Sequence, residues 1–192
     1  MATARSGADT SGVRAPEVRA PRPDELERLR DVERAAGRAF ADIGMGWVAA
    51  HAPPSIDELE AFRAAGRAWV VVVPGVSAPA GYVLVEDLDE PLAAGPGVAA
   101  HVEQVSVDPA HAHRRLGRLL IEHVAADARG RGVGDLTLTT FREVPWNAPY
   151  YERCGFRALA ERELGPGLLR VRAVEASHGL APATRVCMHR RA

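Results

Sequence analysis

Apolar and polar residues alternate through His101–Val107 (HVEQVSV), a polar turn containing Pro109 follows, and an apolar stripe of helical period begins at Leu116. This pattern predicts a strand that feeds directly into a helix across a turn of small and basic residues. Elsewhere, a helix is predicted over Asp24–Phe40, with Asp24 as N-cap and Leu26, Leu29, Val32 and Ala36 on one face. A second helix is predicted over Ser55–Ala65, opened by a capping box of Ser55 and Glu58. Trp69–Val73 and Gly81–Asp87 read as strands, and the acidic, Gly/Pro-rich Asp87–Gly97 as a loop. The strand at 101–107 and a helix at 114–129 come next, then a strand at 135–141 and a short helix at 147–154. A helical stretch at 168–177 and a last strand at 184–189 complete the pattern. Residues 1–15 are small, polar and aperiodic, and are expected to be a disordered tail. Residues 16–192 are expected to form a single domain, mixed α/β (α+β) around a central sheet.

Composition narrows the function classes. Hydrophobic residues make up 47% of the 192 positions and charged residues 26%, ordinary values for a chain with a core. A net charge of -1 gives no electrostatic case for binding nucleic acid or an anionic membrane. The longest apolar runs, such as Ala68–Pro74, are too short to span a bilayer, and the first residues contain no secretory hydrophobic segment. Cys154 and Cys187 form no disulfide pattern, which fits a cytoplasmic location. All 24 cationic residues are arginine. His111-x-His113 and Cys187-x-His189 lack the spacing of a zinc site, so no metal is expected. Trp47, Trp69 and Trp146 are isolated in the sequence and build no stacking platform for nucleic acid.

Two stretches could hold an anion. Arg129–Gly134 (RGRGVG) matches a phosphate-loop pattern, but a helix precedes it and a strand follows, the reverse of what a helix N-terminal anion site needs. Its glycines read as a helix cap and turn. Ala112–Arg118 (AHRRLGR) lies at the correct strand-to-helix junction. Backbone amides of Ala112, His113, Arg114, Arg115, Leu116, Gly117 and Arg118 could converge there on a pyrophosphate. Gly117 would allow close approach, and His113, Arg114, Arg115 and Arg118 would add positive charge. A solvated basic helix start is the plain alternative.

Three segments carry a family resemblance: Val107-Asp108-Pro109, the loop Ala112–Gly117, and Tyr151-Glu152-Arg153-Cys154-Gly155-Phe156. In this order and spacing they resemble motifs A and B of the GNAT N-acetyltransferase superfamily. The close likeness covers about residues 100–160 and implies the GNAT acyl-CoA N-acyltransferase fold, with a central, splayed, mostly antiparallel sheet flanked by helices. It also implies an acetyl-CoA-binding half at 99–192 and a variable acceptor-binding half at 16–98. Two positions depart from the motif: Ala112 stands for the usual Arg or Gln, and Arg115 for the first glycine. Ala112 is tolerable because backbone amides do the binding. Arg115 costs nothing if its backbone is ordinary helix, but a positive φ would strain it.

The resemblance further implies acetyl transfer from acetyl-CoA to a primary amine, by direct attack in a ternary complex without a metal. Tyr151 becomes the general acid for the departing thiolate, a match that Tyr150, about 100° around the helix, fits less well. Glu103 is the first candidate for the base and His101 the second, both set by alternation on one face with Val105 and Val107; an exposed edge carboxylate is the plain reading of Glu103. The backbone of Val105, Ser106 and Val107 would pair with the pantetheine arm like an added strand, and one N–H would polarise the thioester carbonyl. Asn147 is expected to cap the Tyr-bearing helix and border the cofactor. The alternative is a non-catalytic GNAT-fold module that binds an acyl-CoA or a partner. The acceptor is open, as is pairing into a homodimer, and neither nucleic acid nor a membrane is expected as a partner.

Overall fold

The computed structural model of the chain describes residues 14–192. The predicted tail therefore lies almost wholly outside the described residues. Strands β1 (Glu17–Arg19), β2 (Ala68–Val72), β3 (Gly81–Asp89), β4 (Val98–Val107), β5 (Asp135–Phe141), β6 (Arg157–Ala158) and β7 (Arg185–Arg191) form one sheet in the order β1-β2-β3-β4-β5-β7-β6. Every neighbouring pair is antiparallel except β4 and β5. Helices α1 (Leu26–Ala41), α2 (Gly46–Ala49), α3 (Ile56–Ala64), α4 (Leu116–Gly130), α5 (Ala148–Arg153) and α6 (Pro166–Ser177) cover its two faces.

Both faces of the sheet are buried, which explains why β2 reads as a continuous apolar run instead of an alternating one. Trp69 and Val71 join a core beneath α4 with Val83, Val85, Ala100, Val102, Leu120 and Val124. Ala68 and Val70 join a second core beneath α1 with Leu26, Leu29, Val32, Tyr82 and Leu84. The apolar stripe predicted for the first helix is therefore the face that packs. Its start differs: Asp24 lies inside a single 3-10 turn and caps nothing. No side chain caps α1 among the described residues; Glu25 at its start instead accepts the Arg22 N–H at 2.7 Å and the Arg19 guanidinium at 2.6 and 2.8 Å. A charge-assisted pair beside a helix start competes well with a simple cap. The Ser55–Glu58 capping box opens α3 as expected. Arg129–Gly134 forms the end of α4 and a turn, with Gly132 at φ +77°.

β4 is the strand that matters most. Leu84 pairs with Gln104 and Val85 with Val102, so Glu103 is an extra residue, a β-bulge. The bulge breaks the alternation expected from the sequence. Ala100, Val102, Val105 and Val107 pack on the α4 side. His101, Gln104 and Ser106 point to the other side, toward Thr137 and α1. Glu103 joins them, its carboxylate 4.0 Å from the His101 ring. So Glu103 and His101 share a face, but Val105 and Val107 do not share it with them.

Candidate active site

The parallel ladder between β4 and β5 runs only from Ala99↔Asp135 to Val102↔Leu138. Beyond it, residues 103–107 of β4 and 139–141 of β5 diverge and leave a wedge-shaped gap. The Asp108 N–H donates to Ala80, and the Ser106 carbonyl abuts Gly81, so these residues turn their backbone groups toward β3. By strand alternation, the backbone groups of Val105 and Val107 face the gap.

The loop from Ala112 and the start of α4 stand over one mouth of this gap. Among the described residues, the N–H groups of His113, Arg114, Arg115, Leu116, Gly117 and Arg118 find no acceptor; the first helical bond is Leu119 N–H to Arg115. No side chain caps this end. A helix start with its donors free and a positive end is suited to an anion. The side chains of His113, Arg114, Arg115 and Arg118 are exposed around it.

Arg115 does not have helical geometry. It sits at φ +58°, ψ +23°, and His113 at φ +61° is also left-handed. Two left-handed residues within three turn successive N–H groups inward, as in an anion nest. Arg115 thus adopts the conformation that glycine favours at that position, at a cost of about 1 kcal/mol. Arg115→Gly is expected to raise unfolding stability by about 1 kcal/mol, read by urea titration. A lower stability would show that the arginine is unstrained there.

Gly117 has a packing role of its own. A Cβ on it would stand 2.7 Å from the Tyr150 hydroxyl and 3.7 Å from Val107, so the missing side chain makes room for the Tyr150 phenol. Asn147 differs from expectation. Its side chain does not cap α5 but donates to Thr140 at 2.7 Å, tying the loop before α5 to β5. Its Oδ1 is buried and has no partner among the described residues. Cys154 packs in the core.

The Arg185 charge acts on both Tyr151 and Glu103. Burial pushes the Tyr151 phenol well above its ordinary pKa; Cys154 and the Glu33 carboxylate add to this and Arg185 opposes it. Its hydroxyl has no hydrogen bond among the described residues. Glu103 is half-exposed, and its carboxyl is pushed up by desolvation first, then by Glu86 and Glu175, with Arg185 opposing. Arg185 is paired with Glu175 and donates to Thr139 at 3.1 Å. His101 is buried, bonded to Thr137 at 2.9 Å, and burial lowers its pKa to about 4.

The His101 shift is also a stability statement. Its folded pKa lies below its unfolded value, so its contribution is complete above about pH 6.5 and is lost as pH falls toward 4. Wild-type protein is expected to lose about 1.5 kcal/mol between pH 6.5 and pH 5 from this group, the slope reaching about 1.4 kcal/mol per unit once the unfolded-state histidine is protonated. Denaturant titrations of wild type and His101→Gln check this; parallel pH dependences would contradict it.

The sequence reading missed a carboxylate hub. Glu33 of α1 accepts from Tyr82 at 2.8 Å, from Gln104 at 2.9 Å and from Ser106 at 2.5 Å, and so clamps the bulged strand to α1. Only the Leu29–Val32 stripe hinted that α1 packs there; nothing local marks Glu33. Nor was an aromatic cluster legible: Trp47 and Trp146, distant in sequence, gather with Phe40 and Phe141 beside the gap.

The comparisons agree with this architecture. The acetyltransferase (GNAT) family model matches residues 27–156. A PaiA N-acetyltransferase from Thermoplasma acidophilum, solved with coenzyme A, is 13% identical with a TM-score of 0.65, over 93% of this chain and 100% of that one. A GNAT acetyltransferase from Brucella melitensis, solved with acetyl-CoA, is 25% identical with a TM-score of 0.51, over 75% and 84%. A GCN5-related N-acetyltransferase from Kribbella flavida is 20% identical with a TM-score of 0.55; the match covers 75% of this chain and 34% of that longer one. A splayed mixed sheet with an open helix start at the gap defines an acyltransferase-type fold. The chain belongs to the GNAT acetyltransferase family.

Among the described residues no group of three His, Cys, Asp or Glu side chains could hold a metal, and no helix is long and apolar enough to cross a membrane.

Proposed function

We propose that the protein transfers an acetyl group from acetyl-CoA to a primary amine by direct attack in a ternary complex. The observation that carries this is the run of free N–H groups from His113 to Arg118, set over a gap edged by the backbone of Val105 and Val107. Donors and exposed arginines at the helix start fit a pyrophosphate, and an unpaired strand edge fits an amide-bearing arm. When bound, acetyl-CoA supplies the thioester carbonyl.

The chain's residues divide the remaining work. Ala112 ends the preceding turn, and the amides of His113–Arg118 hold the phosphates, with His113, Arg114, Arg115 and Arg118 as counter-charges. The gap-facing groups of Val105 and Val107 align the arm, Ser106 and Asn147 fix the gap's two walls, and an N–H of Val105 donates to the thioester oxygen. Glu103 takes the proton of the arriving ammonium, directly or through water. The amine nitrogen then forms the C–N bond as the C–S bond breaks, Tyr151 gives its proton to the departing sulfur, and the second proton of the attacking nitrogen passes through water to the Tyr151 oxygen. His101 is a poor alternative base, being buried and too weakly basic at neutral pH. The non-catalytic reading rested on Arg115, whose left-handed backbone leaves the amide run open.

Calorimetric titration with acetyl-CoA, with free CoA alongside, tests the reading. One site of micromolar affinity is expected, followed by amine-dependent CoA release. No heat at any concentration would overturn it.

A further inference from the structure

One wall of the gap is unexplained by cofactor binding. Phe40 at the end of α1, Trp47 in α2, Phe141 at the end of β5 and Trp146 before α5 come from separate stretches, yet their rings lie 5.6 to 6.2 Å apart. Trp47 and Trp146 remain 47% and 40% exposed. A single exposed tryptophan is ordinary, but joined rings open to solvent beside a hollow mark a binding surface. The hollow is lined by Met45, Phe141, Val144 and Thr184, with Arg142 and Glu143 of opposite charge on its rim. Phe141 links the rings to the reacting groups through charge: the Arg185 guanidinium lies over it at 4.7 Å, and that charge acts on both Glu103 and Tyr151.

Carboxylates outnumber guanidiniums on this side. The Glu86 and Glu175 carboxylates both act on Glu103, and Arg185, which opposes them, is already paired with Glu175. Glu33 adds a further carboxylate toward Tyr151. An ammonium is attracted to this field, whereas a carboxylate carried next to the amine is repelled. We propose that the acceptor is an arylalkylamine: a primary amine on a short apolar arm, its ring seated on Trp47 and Trp146 and no carboxylate beside the nitrogen. This rests on the acetyl-transfer reading above.

The test is CoA release by the full chain with phenethylamine, phenylalanine, hexylamine and spermidine, alongside acetyl-CoA calorimetry. Phenethylamine is expected to exceed phenylalanine and spermidine in kcat/KM by about tenfold or more, and hexylamine by about three- to tenfold. Trp47→Ala and Trp146→Leu should each lower phenethylamine kcat/KM by about three- to tenfold with acetyl-CoA affinity unchanged. Preference for spermidine or phenylalanine, with acetyl-CoA still turned over, overturns the acceptor assignment and leaves acetyl transfer standing. A change of solution mass in Trp47→Ala, without loss of rate, makes the rings a subunit interface and also overturns it. Failure of every amine together with absent acetyl-CoA binding overturns both readings.

Discussion

Tyr151→Phe is expected to lower kcat by about 10²- to 10³-fold while the acetyl-CoA dissociation constant stays within about twofold. The Tyr151 ring packs against Phe156 and the core beneath α4, so removing one oxygen leaves the wall of the gap intact. Burial holds the phenol protonated well past its ordinary range, so the proton is present at any working pH. A coenzyme thiol has a pKa of about 8.5 and leaves poorly as an anion from a partly dry gap, so a donor at the sulfur matters. Tyr150→Phe is the control. Its hydroxyl lies against Gly117 on the cofactor side, and the variant should lose no more than a few-fold. Parallel rate and pre-steady-state measurements on both variants separate the roles. Equal losses of turnover and acetyl-CoA binding in Tyr151→Phe would end the general-acid assignment.

The sequence carried the fold through features that are local along the chain. Period-2 and period-3.6 patterns placed β5 at 135–141 and α3 behind its capping box, and placed α4 and α5 to within two residues. Strand-to-helix order also separated the loop at Ala112–Arg118 from its look-alike at Arg129–Gly134. What it could not carry is set by contacts between distant segments. The bulge at Glu103 arises from the pairing of β4 with β3, and it overrides the alternation that the residues HVEQVSV display. Glu33, Glu175 and Arg185 reach the gap from α1, α6 and β7, and the aromatic rings come from four places in the chain. Side-chain choices such as Asn147 bonding Thr140 instead of capping α5 likewise depend on which partner the fold brings within reach.

Glu103→Gln should produce a loss that depends on pH in a particular way. At pH 7 an amine of pKa about 10 is almost wholly ammonium, so a base is required, and a loss of about 10²-fold in kcat/KM is expected. As pH rises toward 10 the free amine becomes abundant and the two enzymes should approach each other. On the acid side, desolvation and the Glu86 and Glu175 carboxylates hold the Glu103 carboxyl above its ordinary pKa. Wild-type activity should therefore begin to fall at a higher pH than an ordinary carboxylate would allow, and that limb should vanish in the variant. The same shift gives a sign for stability. A carboxyl with its folded pKa raised favours folding at low pH and loses that contribution as pH rises through the raised value, so its ionised form opposes folding at pH 7. Glu103→Gln should thus melt no lower than wild type at pH 7 while losing most of its activity. A bulge that places a carboxylate among carboxylates is then explained by turnover and not by folding. A variant that keeps the wild-type pH profile, or that loses stability along with rate, would assign Glu103 to the structure and remove it from the chemistry.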